Sequence, residues 1–182
     1  MRAHPDPKAF YSDVKLLATC PAGKEEKAEV ELLDAILPWD SSVEVLKTGF
    51  PGVLLVRTSL GPEEALRATR SLYMAYVKSV VPIYAVVEAE LGAVVEACIN
   101  LAKRIGLGGG SSFAVRCRRR GRALGSSVEV EEAVGGAVRR ATGARVDLGN
   151  PDVVLRVEAL GDVVLLGLDK SLSPTSLPRR VR

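Results

Sequence analysis

This 182-residue sequence predicts an α/β (α+β) fold built in two parts, on three observations. Strand-like and helix-like stretches follow one another over the first 87 residues in the order β-α-β-β-α-β. From about residue 88 the order changes. The charge also changes sign: residues 1–90 hold ten basic and thirteen acidic side chains, a net of −3, and residues 91–182 hold fifteen and nine, a net of +6. Hydrophobic residues make up 47% of the chain, enough to bury a core, and aromatics only 4%, so that core is mostly Val, Leu and Ala.

The first strand is "VKLLATC" (14–20), an apolar, β-favouring run. A helix follows in "GKEEKAEVELLDAIL" (23–37), with Ala28, Leu32, Leu33 and Ile36 at helical spacing and Pro38 behind its end. "SVEVLKT" (42–48) alternates with period two, "GFPG" (49–52) is a turn, and "VLLVRTS" (53–59) completes a hairpin. "GPEEALRATRSLY" (61–73) is a helix with Pro62 in its first turn. "YVKSVVPIYAVV" (76–87) is a strand in which Pro82 demands a bulge or an edge position. This order is the ferredoxin-like arrangement.

The second part opens with an apolar-faced helix, "LGAVVEACINLAKRI" (91–105), and a Gly-rich connector, "GLGGGSS" (106–112). "FAVRCR" (113–118) is a strand and "RRGRALG" (119–125) a basic loop. "SSVEVEEAVGGAVRRAT" (126–142) is a helix with a serine cap and early acids. "RVDL" (145–148) is a short strand and "GNP" a turn. "DVVLRVEAL" (152–160) and "DVVLLGL" (162–168) form a hairpin around Gly161. The expected division is 1–87, 88–170 and a basic tail, 171–182, the first two parts meeting near residues 86–92.

Most catalytic classes find no support. Cys20, Cys98 and Cys117 are far apart and belong to apolar stretches, and the one histidine, His4, sits in a Pro-rich start, so neither a zinc site nor a His-based triad is expected. "GLGGGSS" lacks the lysine of a phosphate-binding loop, and it follows a helix rather than a strand. The carboxylate pairs Glu25/Glu26, Glu63/Glu64 and Glu131/Glu132 each fall in an early helical turn, where the helix dipole favours them. No stretch resembles a signal peptide or is apolar for long enough to span a bilayer. The expectation is a cytoplasmic protein that is not an enzyme and uses no metal or cofactor, with no length to spare for a catalytic domain.

The charged stretch "FAVRCRRRGR" is the strongest functional signal. Five arginines, Arg116, Arg118, Arg119, Arg120 and Arg122, fall within seven residues. Phe113, Val115 and Cys117 face one way along the strand, and Ala114, Arg116 and Arg118 share the exposed face. Arg139, Arg140 and Arg145 widen the patch, and Arg179, Arg180 and Arg182 add charge in the tail. Guanidinium forks match phosphate geometry, and closely spaced cations release counterions from a polyanion. Replacing Arg118 and Arg120 by Ala should leave stability within about 0.5 kcal/mol, as surface changes usually do. The plainer alternative is a solvated basic loop.

Residues 88–169 resemble a THUMP domain, the RNA-binding module of several tRNA-modifying enzymes. The resemblance rests on "SFAVRCRRRG" (112–121), "SSVEVEEAVGGAV" (126–138) and "RVDLGNPDVVLRVEA" (145–159). It implies that the arginines grip RNA phosphates and that the partner is tRNA. Gly135 and Gly136 interrupt a helix, and either close helix packing or close approach of RNA accounts for them. Over nearly its whole length the chain is similar to the tRNA-binding adaptor family of the RNA cytidine acetyltransferase. That similarity lies in Thr19, Cys20, Gly23, Glu25, Ala28 and Glu31, in "KTGFPGVLLVRT" (47–58) and in "VVPI" (80–83). It implies N4-acetylation of a D-arm cytidine in serine and leucine tRNAs by a separate enzyme. A subunit serving thiolation or methylation, and a regulatory protein whose basic patch binds an acidic partner, remain as alternatives.

Overall fold

The computed structural model describes residues 11–170; His4 and the expected basic tail lie outside the described residues. The elements are β1 (Val14–Thr19), α1 (Glu25–Ile36), β2 (Glu44–Lys47), β3 (Val53–Arg57), α2 (Pro62–Thr69), β4 (Ser79–Glu88), α3 (Leu91–Arg104), β5 (Ser112–Arg120), α4 (Ser127–Thr142), β6 (Arg145–Val146), β7 (Val153–Leu160) and β8 (Val163–Lys170). Every expected element is present in the expected order. No helix among the described residues is long and apolar enough to cross a membrane.

The two halves do not form separate sheets. All eight strands make one sheet in the order β2-β3-β1-β4-β8-β7-β5-β6. This corrects the expectation of a break near residues 86–92. The cause is the length of β4: Ser79–Pro82 pair with β1, and Ile83–Glu88 pair with β8. Pro82, which has no N–H to give a ladder, sits where one partner hands over to the other. The expected bulge lies just beyond it, between Ile83 and Ala85. The strand itself is central, not an edge.

Period-two alternation divides the apolar residues between the two faces of the sheet. Leu16, Ala18, Leu54 and Val56 are buried with Ala28, Leu32, Ala35 and Ile36 of α1. Phe113, Val115, Leu155, Val157 and Leu166 are buried with Val94, Cys98 and Leu101 of α3 and Val130, Val134 and Val138 of α4. Burial pushes the Cys98 thiol up to about 12, which keeps it protonated at neutral pH. The opposite, helix-free face is also buried: Leu17, Leu55, Ile83, Leu160, Val163 and Leu165 form a third core.

That face is covered because the sheet curls. Strands β3 and β8 stand three places apart, roughly 14 Å on a flat sheet. Yet Phe50, in the turn before β3, comes within 3.9 Å of where a side chain on Gly161, in the β7–β8 turn, would begin. Close approach at the bend requires Gly167: a Cβ there would press on a Val81 methyl and lie 2.8 Å from the Pro82 carbonyl oxygen.

Carboxylates fasten the loops of the first half. Glu25 accepts the Gly52 N–H at 2.6 Å, and Glu31 accepts the N–H groups of Ala75, Tyr76 and Val77. Buried Asp40 accepts from the Ser42 hydroxyl and N–H, the Thr58 hydroxyl and the Ser59 N–H, and these bonds, led by that of the Ser42 hydroxyl, hold its carboxyl far below the usual range. Its contribution to stability is therefore present above about pH 4 and lost as the pH falls.

The bend gives a first prediction. Gly167→Ala should cost about 2 kcal/mol or more by overpacking, measured by urea unfolding. An alanine accepted at no cost would contradict the handover geometry at β4.

Candidate nucleic-acid interface

Strand β5 carries the arginine cluster, and it is longer than expected. Arg119 and Arg120 belong to the strand, not to the following loop, and pair in parallel register with Ala159 and Leu160 of β7. Phe113, Val115 and Cys117 face the helices and are buried, as the alternation predicts. Ala114 is not exposed as expected: it is completely buried.

The open face of β5 presents Arg116, Arg118 and Arg120. Opposite them on β7 stand Arg156, in register with Arg116, and Glu158, in register with Arg118. Glu158 is only 1% exposed, and it accepts from Arg156 at 2.8 Å and from Arg120 at 2.9 Å. Two guanidiniums on one buried carboxylate leave a net positive group under the surface. Arg156 and Glu158 were not among the expected site residues. The available signal was their position: they are the polar members of an alternating strand and face the same way as Arg118.

Other arginines of the cluster act on loops. Arg116 donates to the Leu148 carbonyl at 2.8 Å. This steadies a segment already folded around Asp147, whose carboxylate accepts the N–H groups of Asn150 and Gly149, and those bonds hold its pKa below the usual range. "GNP" is the expected turn, and Asp152 ties it to β5 by accepting from the Ser112 N–H and hydroxyl. Arg119 donates to the Leu124 carbonyl at 2.9 Å.

The remaining arginines are exposed. The side chains of Arg118 and Arg122 make no hydrogen bond or ion pair with another described residue. Arg139 and Arg140 lie in the last turn of α4, where the helix dipole favours cations, and Gly143 closes the helix at φ 74°. Arg145 is 76% exposed, with Asp147 at 3.9 Å. The eight arginines thus occupy four places: Arg116, Arg118 and Arg120 on the sheet face, Arg119 on the other side of the strand, Arg122 in the loop after β5, and Arg139, Arg140 and Arg145 at the α4–β6 corner. Of the eight, only Arg139 lines a groove of about 420 Å³ between α4 and the edge of β5, together with Glu131, Glu132 and Leu148, whose carbonyl Arg116 holds.

Helix α4 is set firmly beside that edge. Ser126 caps it, with the Ser126 hydroxyl accepting the Glu129 N–H and the Glu129 carboxylate accepting the Ser126 N–H. One turn further on, Glu131 accepts the Cys117 N–H at 2.7 Å. Because β6 pairs only with Ser112 and Phe113, that N–H has no strand partner, and the carboxylate caps it. Among the described residues no group of three or more His, Cys, Asp or Glu side chains converges to hold a metal ion.

This geometry coincides with a known module. Residues 88–169 match the THUMP domain, and that segment is a THUMP domain, the second half of the α/β chain. A tRNA (guanine(6)-N2)-methyltransferase of Thermus thermophilus is 43% identical over 70 residues, which are 38% of this chain and 21% of that enzyme. A tRNA sulfurtransferase of Salmonella arizonae is 47% identical over 58 residues, 31% of this chain and 12% of the relative. The chain therefore matches only a minor part of each relative's length. The crystal structure of TrmN from Thermus thermophilus superposes on 85% of this chain and 45% of its own length, with a TM-score of 0.64 and 29% identity, so the likeness spans both halves.

The buried carboxylate separates two kinds of arginine. Arg120→Ala should cost about 2 kcal/mol, because it strips one partner from a buried charge. Arg118→Ala should stay within about 0.5 kcal/mol. Urea unfolding of both variants checks this, and equal losses would contradict the assignment. The small change expected for Arg120 from sequence alone is revised accordingly.

Proposed function

We propose that this chain binds tRNA and presents it to a separate modifying enzyme without itself doing chemistry. The observation that carries the reading is the set of exposed, unpaired arginines, Arg118, Arg122, Arg139 and Arg140, on a THUMP domain whose relatives act on tRNA. Phosphates are met by these side chains. Arg116, Arg119 and Arg120 hold the surface in shape, and Arg145 adds charge at its margin. The site of action is the cytoplasm.

The reaction served is N4-acetylation of a D-arm cytidine in serine and leucine tRNAs by an RNA cytidine acetyltransferase. Support for this finer reading is the similarity in the first half: Glu25 and Glu31, which belong to that pattern, are the side chains that fasten its loops. Holding tRNA and enzyme together makes the modification effectively intramolecular, at local concentrations of about millimolar. A second reading, a subunit serving methylation or thiolation, draws on the methyltransferase and sulfurtransferase relatives.

The test is direct. The purified chain should bind tRNA and leave it unaltered when acetyl-CoA and ATP are supplied. Adding the acetyltransferase should yield N4-acetylcytidine in the D-arm. Arg118→Ala with Arg122→Ala should lower that yield and flatten the salt dependence of binding by roughly one unit per lost contact. Modification by the chain alone would overturn the reading. Acetylation that proceeds equally well without the chain would shift the partner to a methylating or thiolating enzyme.

A further inference from the structure

The chain's one tryptophan is on the surface. Trp39 lies just beyond the C-terminal end of α1 and is 64% exposed. Its side chain makes no hydrogen bond with another described residue. Yet the backbone that carries it is held firmly. The Trp39 and Asp40 N–H groups both donate to the Ile36 carbonyl, at 2.8 and 3.0 Å. Asp40 is buried and fixes the turn by accepting from Ser42, Thr58 and Ser59. A side chain on a support already in place loses less freedom when a partner meets it. Tryptophan is also enriched among the residues that anchor protein interfaces.

Trp39 does not stand alone. It walls a groove of about 420 Å³ whose other lining residues are Leu60, Glu64, Arg67 and Ala68, so apolar surface continues from the indole onto α2. On α1 the core takes Ala28, Leu32, Ala35 and Ile36, and the exposed stripe is Glu26, Val30, Asp34 and Leu37. Val30 and Leu37 are 55% and 45% exposed. The two helices together carry seven acidic and two basic side chains, a net of −5. Asp34, one turn before Leu37, has a side chain with no hydrogen bond or ion pair to another described residue.

We infer that this face of α1 and α2 docks the modifying enzyme, with Trp39 packed against an apolar side chain of that enzyme and the helix carboxylates facing a basic rim. The inference rests on the adaptor reading above and names the surface through which the adaptor works. Charge chooses the occupant. Helices with a net charge of −5 repel RNA phosphates. An enzyme that acts on tRNA has to present positive surface to a polyanion, and such a surface complements these helices. The groove itself is balanced, Glu64 against Arg67, so it selects by apolar fit. The surrounding carboxylates set orientation and the rate of encounter. Position allows both partners at once. Strand β1, which packs under α1, stands four places from β5 in the sheet, roughly 19 Å when flat.

Binding of the purified RNA cytidine acetyltransferase to the full chain tests this, with RNA removed by nuclease so that tRNA cannot bridge the two. Trp39→Ala should weaken that binding about thirtyfold, mainly through faster dissociation. Asp34→Lys should slow association at low salt and change dissociation little. Both side chains are exposed, so both variants should melt within about 2 °C of the parent. Trp39→Ala should also bind tRNA as tightly as the parent. If the parent binds the enzyme and Trp39→Ala binds it equally well, the inference is overturned and the adaptor reading stands. A loss of tRNA affinity in Trp39→Ala would overturn it by assigning the face to RNA. A dimer of the chain that Trp39→Ala disperses would overturn it by assigning the face to a second copy. A parent chain that binds tRNA but not the enzyme would refute the adaptor reading with this partner, and the docking surface with it.

Discussion

The rest of the structure depends on one strand serving two partners. Strand β4 pairs first with β1 and then with β8, so the ladder of the first half passes without a break into that of the second. Once the strand is shared, the apolar residues on the helix-free side cannot be left in water. The sheet curls, and Leu17, Leu55, Ile83, Leu160 and Leu165 close into one core. Full burial of a Leu or Ile side chain stabilises by roughly 1.5–3 kcal/mol, which makes the curl a strong constraint.

Rigidity of the basic surface follows from that constraint. Strand β5 is paired with β7 over eight residues, from Phe113 to Arg120. Its far edge is capped by Glu131, and its side chains tie down the loops at Leu124 and Leu148. A phosphate-binding group that is already held in place loses less conformational entropy on binding. The arginines therefore divide by task. Those bonded to Glu158 or to loop carbonyls build the support, and those whose side chains have no partner are the ones proposed to meet RNA.

Much of this was legible in the sequence. Element order followed from period-two and helical spacing, the α4 cap from Ser126 and Glu129, and the bulge from Pro82. The THUMP segment could be recognised from its motifs, with boundaries that match the family. What was not legible depended on contacts distant in sequence. Arg119 and Arg120 read as loop because a run of like charges is usually solvated, and only pairing with Ala159 and Leu160 keeps them in the strand. Ala114 read as exposed because alternation alone cannot say that a second face is covered. Arg156 and Glu158 were hidden because a polar position on a strand carries no sign of a buried partner until the register is known. The continuous sheet was missed for a related reason: nothing in "VVPIYAVVEAE" reveals that one strand has different neighbours at its two ends.

The central claim is that one sheet couples the basic surface to the half that carries none of the proposed RNA contacts. Trp39, the chain's one tryptophan, lies in the first half and reports its unfolding by fluorescence. The amides of β5 report the second half by hydrogen exchange. Urea unfolding followed at both, with and without tRNA, tests the coupling directly. The account predicts a single shared midpoint that rises equally for both probes when tRNA is added, because a ligand of the folded state stabilises everything that unfolds with it. Two separate midpoints, or a tRNA-induced shift confined to β5, would contradict it.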